Sequence, residues 1–390
     1  MSGLPVWLLS GLAPQIGDRF GFDERGLGFL LGSYFGMSAL FAVVCGRLVA
    51  RRGWGTAMLI GVACASASLT LVAVSGSLWM LLPALCGLGA LGNSIAAPAS
   101  NSAIAGTVPA GRQATAFGVK QTALPLTTLL AGAAIPLFSH DDLWRWPFAI
   151  TGVAAAIMAL VLLRALRGGA VAQGGAAPSS GAYRNGESRQ RADRRRRRVV
   201  SPPRPSGALL VLATGAGVAT AATMTLGGFL VTYVVSIGVS SSQAGALVIV
   251  ASILAVVMRI VSGIAADHRA GRHLIVVAAM MASGSVGLVL VSRGGADGIL
   301  VAGVLIAFGL GFSWNGVFHY AIALHHRGRV AEASGVVQTA MSIGAMVGPV
   351  VFGVVAATGF TGAWLAGAAQ LALAAILVLT GRTMLPKPEH

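Results

Sequence analysis

Two cations interrupt stretches of chain that are otherwise apolar. Lys120 stands eight residues after Arg112, and Arg259 stands eight residues before Asp267. In a helix rising ~1.5 Å per residue, each lies ~12 Å from its charged anchor, so the two share a depth. A charge left unpaired in lipid costs ~3 kcal/mol or more. A Lys and an Arg at one depth would repel, were their helices to face one another, unless an anion lay between them. Arg can grip a carboxylate with two parallel hydrogen bonds, and Lys can act as a point charge. The chemistry this predicts is capture of a small anion by Lys120 and Arg259. The competing reading is that both side chains snorkel to the nearer water interface.

Other polar residues share these stretches. Pro125 removes a backbone donor and frees the carbonyl of Gln121 one turn back. Gln121 and its counterpart Gln338 are therefore candidates for a substrate cavity, or for hydrogen bonds between two halves of the molecule. Asn93, Trp314 and Asn315 are further candidates for substrate contact. His319 is a candidate proton carrier, because imidazole titrates near neutrality, although a lone histidine more often serves structure. All eleven acidic residues fall in loops or at the ends of apolar stretches, which argues against a carboxylate relay within the membrane. No His or Cys cluster has metal-ligand spacing, and no phosphate-cradling Gly-x-x-x-x-Gly-Lys loop occurs. Neither catalysis, nor a metal, nor a cofactor is expected. Cys45, Cys64 and Cys86 all sit in apolar runs and read as buried thiols.

The elements that hold these residues must be membrane helices. Hydrophobic residues make up 56% of the chain and charged residues 10%. Soluble domains carry about 25% charged residues, so this chain could not cover a surface in water. A bilayer core needs ~20 helical residues to cross it. Stretches of that length occur at 27–50, 55–75, 78–105, 115–138, 147–166, 207–237, 243–265, 273–292, 297–322, 331–357 and 360–381, with a short one at 3–17. Lipid admits only helices and closed barrels, and the alternating pattern of a barrel strand is absent. The expectation is an all-α integral membrane protein with twelve transmembrane helices.

With the N-terminus in the cytoplasm, Arg51, Arg52, Arg112, Arg269, Arg272, Arg327, Arg329, Arg382 and Lys387 fall on the inner side. Only Arg19, Arg25, Arg145 and Arg293 fall on the outer side. That asymmetry places both termini in the cytoplasm. Residues 167–206 are rich in Gly, Ala, Ser, Pro and Arg and read as a cytoplasmic linker. The Arg194–Arg198 run lacks aromatic residues for base stacking, so it reads as positive-inside charge with no nucleic-acid partner.

A single offset of 217 residues relates the two sides of that linker. Gly118-Val119-Lys120-Gln121-Thr122-Ala123 returns as Gly335-Val336-Val337-Gln338-Thr339-Ala340. Gly21, Gly28, Gly46 and Arg52 return as Gly238, Gly245, Gly263 and Arg269. The repeat predicts two pseudo-symmetric six-helix halves, 1–166 and 207–390, with a substrate site between them near the midplane. Met1 aligns with Val218, about ten residues inside the seventh helix, so the expectation is that the true start lies upstream of Met1 or that the protein is truncated.

Two loops carry a likeness to a known family. Gly46-Arg47-Leu48-Val49-Ala50-Arg51-Arg52-Gly53 and Gly263-Ile264-Ala265-Ala266-Asp267-His268-Arg269-Ala270-Gly271-Arg272 are similar to the Gly-x-Leu-x-Asp-Arg-x-Gly loop of the major facilitator superfamily. Ala50 stands where that loop has its Asp, and Asp267 keeps it in the second copy. The resemblance implies that Gly46, Arg51, Arg52, Gly53, Gly263, Asp267, Arg269 and Arg272 latch a cytoplasmic gate. The other reading is a pair of tight, positively charged turns. Helix 4 lacks the charged residue of the family's proton-linked motif between Leu82 and Gly92. Gly344-x-x-x-Gly348-Pro349 is similar to the antiporter motif but sits in helix 11. The resemblance implies a monomeric secondary transporter in a bacterial plasma membrane, whose partners are the lipid bilayer and a small-molecule substrate. Efflux of apolar or cationic compounds is the alternative substrate class. A transporter-like receptor or scaffold that moves nothing is the alternative of another kind.

Overall fold

In the computed structural model of the chain, residues 2–108, 119–138, 141–168, 206–268, 272–295, 298–325 and 330–385 are described. The expected Arg269, the start of the fifth helix including Gly118, and most of the linker lie outside them. Among the described residues there is no strand. The helices follow the apolar runs closely, because in lipid each backbone must satisfy its own polar groups.

Helix α1 is short and broken into Leu4–Gly11 and Ala13–Phe20 at Leu12, just ahead of Pro14. Helices α2 (24–52) and α3 (54–73) run almost continuously and are divided only by Gly53. Helix α4 comprises Leu78–Leu82, a wider π segment at Pro83–Gly89, and Ala90–Thr107. Helix α5 spans Val119–Phe138, with a turn at Thr122. A 3₁₀ turn at Asp141–Trp144 leads into α6, Arg145–Arg167. The second half holds α7 (Gly207–Ser236), α8 (Ser241–His268) and α9 (His273–Ser292). Helix α10 (Gly298–His325) carries a π segment at Ala307–Gly311 and loses helical form over 312–314. Helices α11 (Val330–Ala356) and α12 (Phe360–Thr383) complete the chain. Ten of these segments are long and apolar enough to cross a membrane; α1 and α2 supplement them.

The two halves pack alike. Helix α3 lies on α6, where Ser66 donates to the carbonyl of Gly152 at 2.8 Å. Helix α9 lies on α12, where Ser285 donates to Ala368 at 2.7 Å. Between the halves, α2 crosses α11, α8 crosses α5, and α1 meets α7. Both crossings rest on the same two positions of the repeat. The space for a side chain at Gly28 is taken by the carbonyl of Pro349, and that at Gly245 by the carbonyl of Gly132. Gly28 and Gly245 are 217 apart, and so are Gly132 and Pro349. The halves are therefore related by the pseudo-twofold that the repeat predicts. Near its axis the Ser10 hydroxyl donates to the carbonyls of Gly227 (3.0 Å) and Gly228 (2.7 Å), and Gly227 is the repeat counterpart of Ser10.

These close contacts share one side. Gly28, Gly32 and Gly36 of α2 press on Met346, Pro349 and Val350 of α11, and Gly132 of α5 presses on Val248 of α8. All lie between the middle of the spans and the face opposite the linker. Toward the linker face, Gly46, its counterpart Gly263, Gly316 and Gly335 have no neighbour within 4 Å of where a side chain would begin. Among the described residues, the closest backbone approaches between the halves thus fall toward the face opposite the linker.

Candidate substrate site

The polar residues singled out by sequence gather where α4, α5, α8 and α10 approach the linker-side half of the spans. Each of these helices is irregular there, and the irregularity supplies the polar groups. In α5, Pro125 leaves the carbonyl of Gln121 without an intrahelical partner. Arg259 of α8 fills that vacancy: its Nη1 donates to Gln121 O across the boundary between halves. In α10, the break after the π segment frees the carbonyl of Phe312, and Arg259 Nη2 donates to it at 2.8 Å. The guanidinium also lies over the Phe312 ring, 5.1 Å from its centre, where the face of an aromatic ring attracts a cation. Arg259 is 8% exposed, so it does not snorkel to water but joins three helices from both halves.

Lys120, next to Gln121, is half-buried and donates to Oδ1 of Asn101 in α4. His319, also half-buried, stands on α10 within electrostatic reach of the Lys120 ammonium. Lys120 and Gln121 adjoin in α5, Arg259 bonds the Gln121 carbonyl, and His319 lies within electrostatic reach of Lys120. Trp314 and Asn315 belong to the same break in α10. The Trp314 ring is fully buried edge-on to Phe318, with centroids 5.6 Å apart. Its Nε1, the Asn315 Oδ1 and the Arg259 Nε are all buried without a hydrogen-bond partner.

Two candidates lie elsewhere. Asn93 sits two turns away from Asn101 on α4 and donates to Ser38 Oγ of α2 at 3.0 Å. Ser94 Oγ donates to Ser38 O at 2.7 Å, so Asn93 belongs to a polar cluster inside the first half. Gln338, in α11, is exposed. Of the loop residues, Gly46 and Gly263 lie within helices rather than at turns. The sharp bend falls on Gly53, whose φ of 79° and ψ of 158° no side-chain-bearing residue adopts readily. Arg51, Arg52 and Arg272 are exposed, Asp267 lies in the last turn of α8, and Arg269 is outside the described residues.

Sequence reasoning passed over Asn101, the buried bond between Thr128 Oγ1 and Ser252 Oγ (2.8 Å) across α5 and α8, and the Phe312 carbonyl. Asn101 carries no repeat signal, since its counterpart is Phe318. The Gly309 and Gly311 pair is the one local hint of the α10 break.

The chain matches the family model of the Major Facilitator Superfamily over residues 1–349 and again over 212–390. The chain belongs to this superfamily. Membership makes it a multi-pass membrane protein and carries secondary transport of a small solute by alternating access of its two halves. No curated protein matches it. Its fold is similar to that of a bacterial homologue of the human lysosomal transporter Spinster, solved inward-facing and occupied. The TM-score is 0.73 at 16% identity, covering 100% of this chain and 96% of that one. The same homologue, inward-facing and unoccupied, matches at 17% identity and TM-score 0.72, covering 100% and 96%. A D-xylose–proton symporter matches at 16% identity and TM-score 0.72, covering 97% and 94%.

Proposed function

We propose that this superfamily member moves a small organic or inorganic anion, with Lys120 and Arg259 as the positive poles of its site. One observation carries the reading: among the described residues, every hydrogen-bond acceptor found on the two intramembrane cations is electrically neutral. Lys120 has the amide oxygen of Asn101, and Arg259 has two backbone carbonyls. The acidic residues all lie in loops or near helix ends. Hydrogen bonding to neutral groups holds a cation in place but leaves its charge uncompensated, which is costly in lipid. An anionic substrate removes that cost while bound. The unpartnered Arg259 Nε and Trp314 Nε1 are further donors for it, and Asn315 Oδ1 is an acceptor.

The positive-inside asymmetry supports a cytoplasmic linker face, with both termini on that side. The Gly28–Pro349 and Gly245–Gly132 crossings then lie toward the outer face and form its closed gate. The arginine-bearing loops at Gly53 and Asp267 form the inner latch of the alternate state. His319, on α10 within electrostatic reach of Lys120, is the proton-coupling candidate. Gln121 contributes through its backbone.

Purified protein in liposomes, offered labelled phosphate, sulfate and mono-, di- and tricarboxylates with and without a pH gradient, tests this reading. At least one anion accumulates, and Lys120→Ala abolishes its accumulation. Uptake that survives Lys120→Ala, or transport confined to cationic and apolar compounds, overturns it.

A further inference from the structure

We infer that Asn101 sets the charge selectivity of the site by holding Lys120 without neutralising it. The inference rests on the anion reading above and adds a specificity residue that contacts no substrate itself. An ammonium placed among membrane helices ordinarily finds a carboxylate, which satisfies its donors and cancels its charge together. Here the two roles are separated. The Asn101 side chain has the shape of an aspartate and offers the same Oδ1 to Lys120 Nζ. Its other terminal group is an amide nitrogen, so the pair keeps a full positive charge.

Among the described residues, the surroundings leave that charge standing. The residue beside Lys120, Gln121, meets Arg259, a second cation held by carbonyls alone. On α10, His319 lies within reach of Lys120 and brings no negative charge in either protonation state. On α4, Asn101 stands in a segment, 90–107, that contains no acidic residue. An oxygen acceptor at 101 therefore fixes where the ammonium points, and the absence of charge at 101 fixes what it attracts. One atom, amide nitrogen in place of carboxylate oxygen, separates a site for anions from a site for neutral solutes.

The experiment compares Asn101→Asp with Asn101→Leu in liposomes, using the transported carboxylate and its neutral amide. Both variants lose rate, because both disturb Lys120. The ratio of carboxylate to amide uptake separates them. It falls at least tenfold in Asn101→Asp and stays within threefold of the unmodified protein in Asn101→Leu. Equal ratios in the two variants overturn the inference, since a merely structural Asn101 would affect both solutes together. Should Asn101→Asp fail to fold, Asn101→Cys in a protein lacking Cys45, Cys64 and Cys86 replaces it, because Asn101 is exposed. An anionic sulfonatoethyl thiol adduct then lowers the ratio, and a neutral methyl adduct does not; equal ratios for the two adducts refute the proposal. Failure of the unmodified protein to accumulate any anion refutes the parent reading instead, and that result is visible before any variant is made.

Discussion

Replacing Gly245 with Ala puts the crossing of α5 and α8 to a quantitative test. The added methyl would lie 2.7 Å from the Gly132 carbonyl oxygen and 2.7 Å from Cδ of Pro136, both belonging to the other half. Ordinary contact starts at 3.4 Å, so the helices must separate by about 0.7 Å. Neither obstacle is a flexible side-chain end, and such overpacking costs roughly 1–3 kcal/mol. That cost falls only on the state in which this face is closed, because opening the face removes the contact. The population of that state relative to its alternative should fall about 5- to 150-fold. Spin labels at Arg25 and Ser242, exposed or nearly so at this face and 217 residues apart, report the change by pulsed electron resonance. Replacing the three cysteines by Ser supplies the background. The distance distribution should gain a longer component. Gly28→Ala, at the repeat-related crossing, should give the same shift, and Gly316→Ala, with open space around it, none. An unchanged distribution in folded Gly245→Ala and Gly28→Ala protein refutes the assignment of these crossings as the closed gate.

Other expected outcomes follow from single contacts. Arg259→Gln leaves the carbonyls of Gln121 and Phe312 short of a donor, at about 1–3 kcal/mol each, so the melting temperature in detergent should drop well below that of Lys120→Ala. Ser10→Ala removes a donor shared by two carbonyls of α7 and should increase thiol labelling of a Cys placed at 25, as the face loosens. Gly53→Ala forces a methyl-bearing residue to φ 79°, ψ 158°, a conformation costing of order 1–3 kcal/mol, and should lower thermal stability without altering substrate preference.

Much of this architecture was legible because lipid leaves a chain so few choices. Apolar runs of ~20 residues must be helices, and the offset of 217 residues told which helices correspond. The crossings fall on Gly28 and Gly245, a pair the offset relates, but nothing in the offset marked them as contacts. The depth shared by Lys120 and Arg259 followed from helical rise, and Pro125 announced a free carbonyl at Gln121. What claims that carbonyl was not legible. Arg259 takes it from another half, and takes a second from a break in α10 that no proline marks. Partner choice of this kind depends on how helices lean together, which periodicity does not encode. For the same reason the sequence gives no sign of Asn101, and the loop motif begins at Gly46 and Gly263 although both continue their helices.

The bond between Ser10 and its own duplicate, Gly227, has a bearing on ancestry. Were the two sextets identical subunits of a dimer, this locus would bring a residue face to face with itself. Two serines would crowd the axis, and two glycines would leave the carbonyls there with no hydroxyl to receive. Fusing the subunits into one polypeptide frees each copy to specialise, one contributing the hydroxyl and the other the bare backbone that admits it. The handshake at the dyad is asymmetric in a way that only a single-chain descendant can encode.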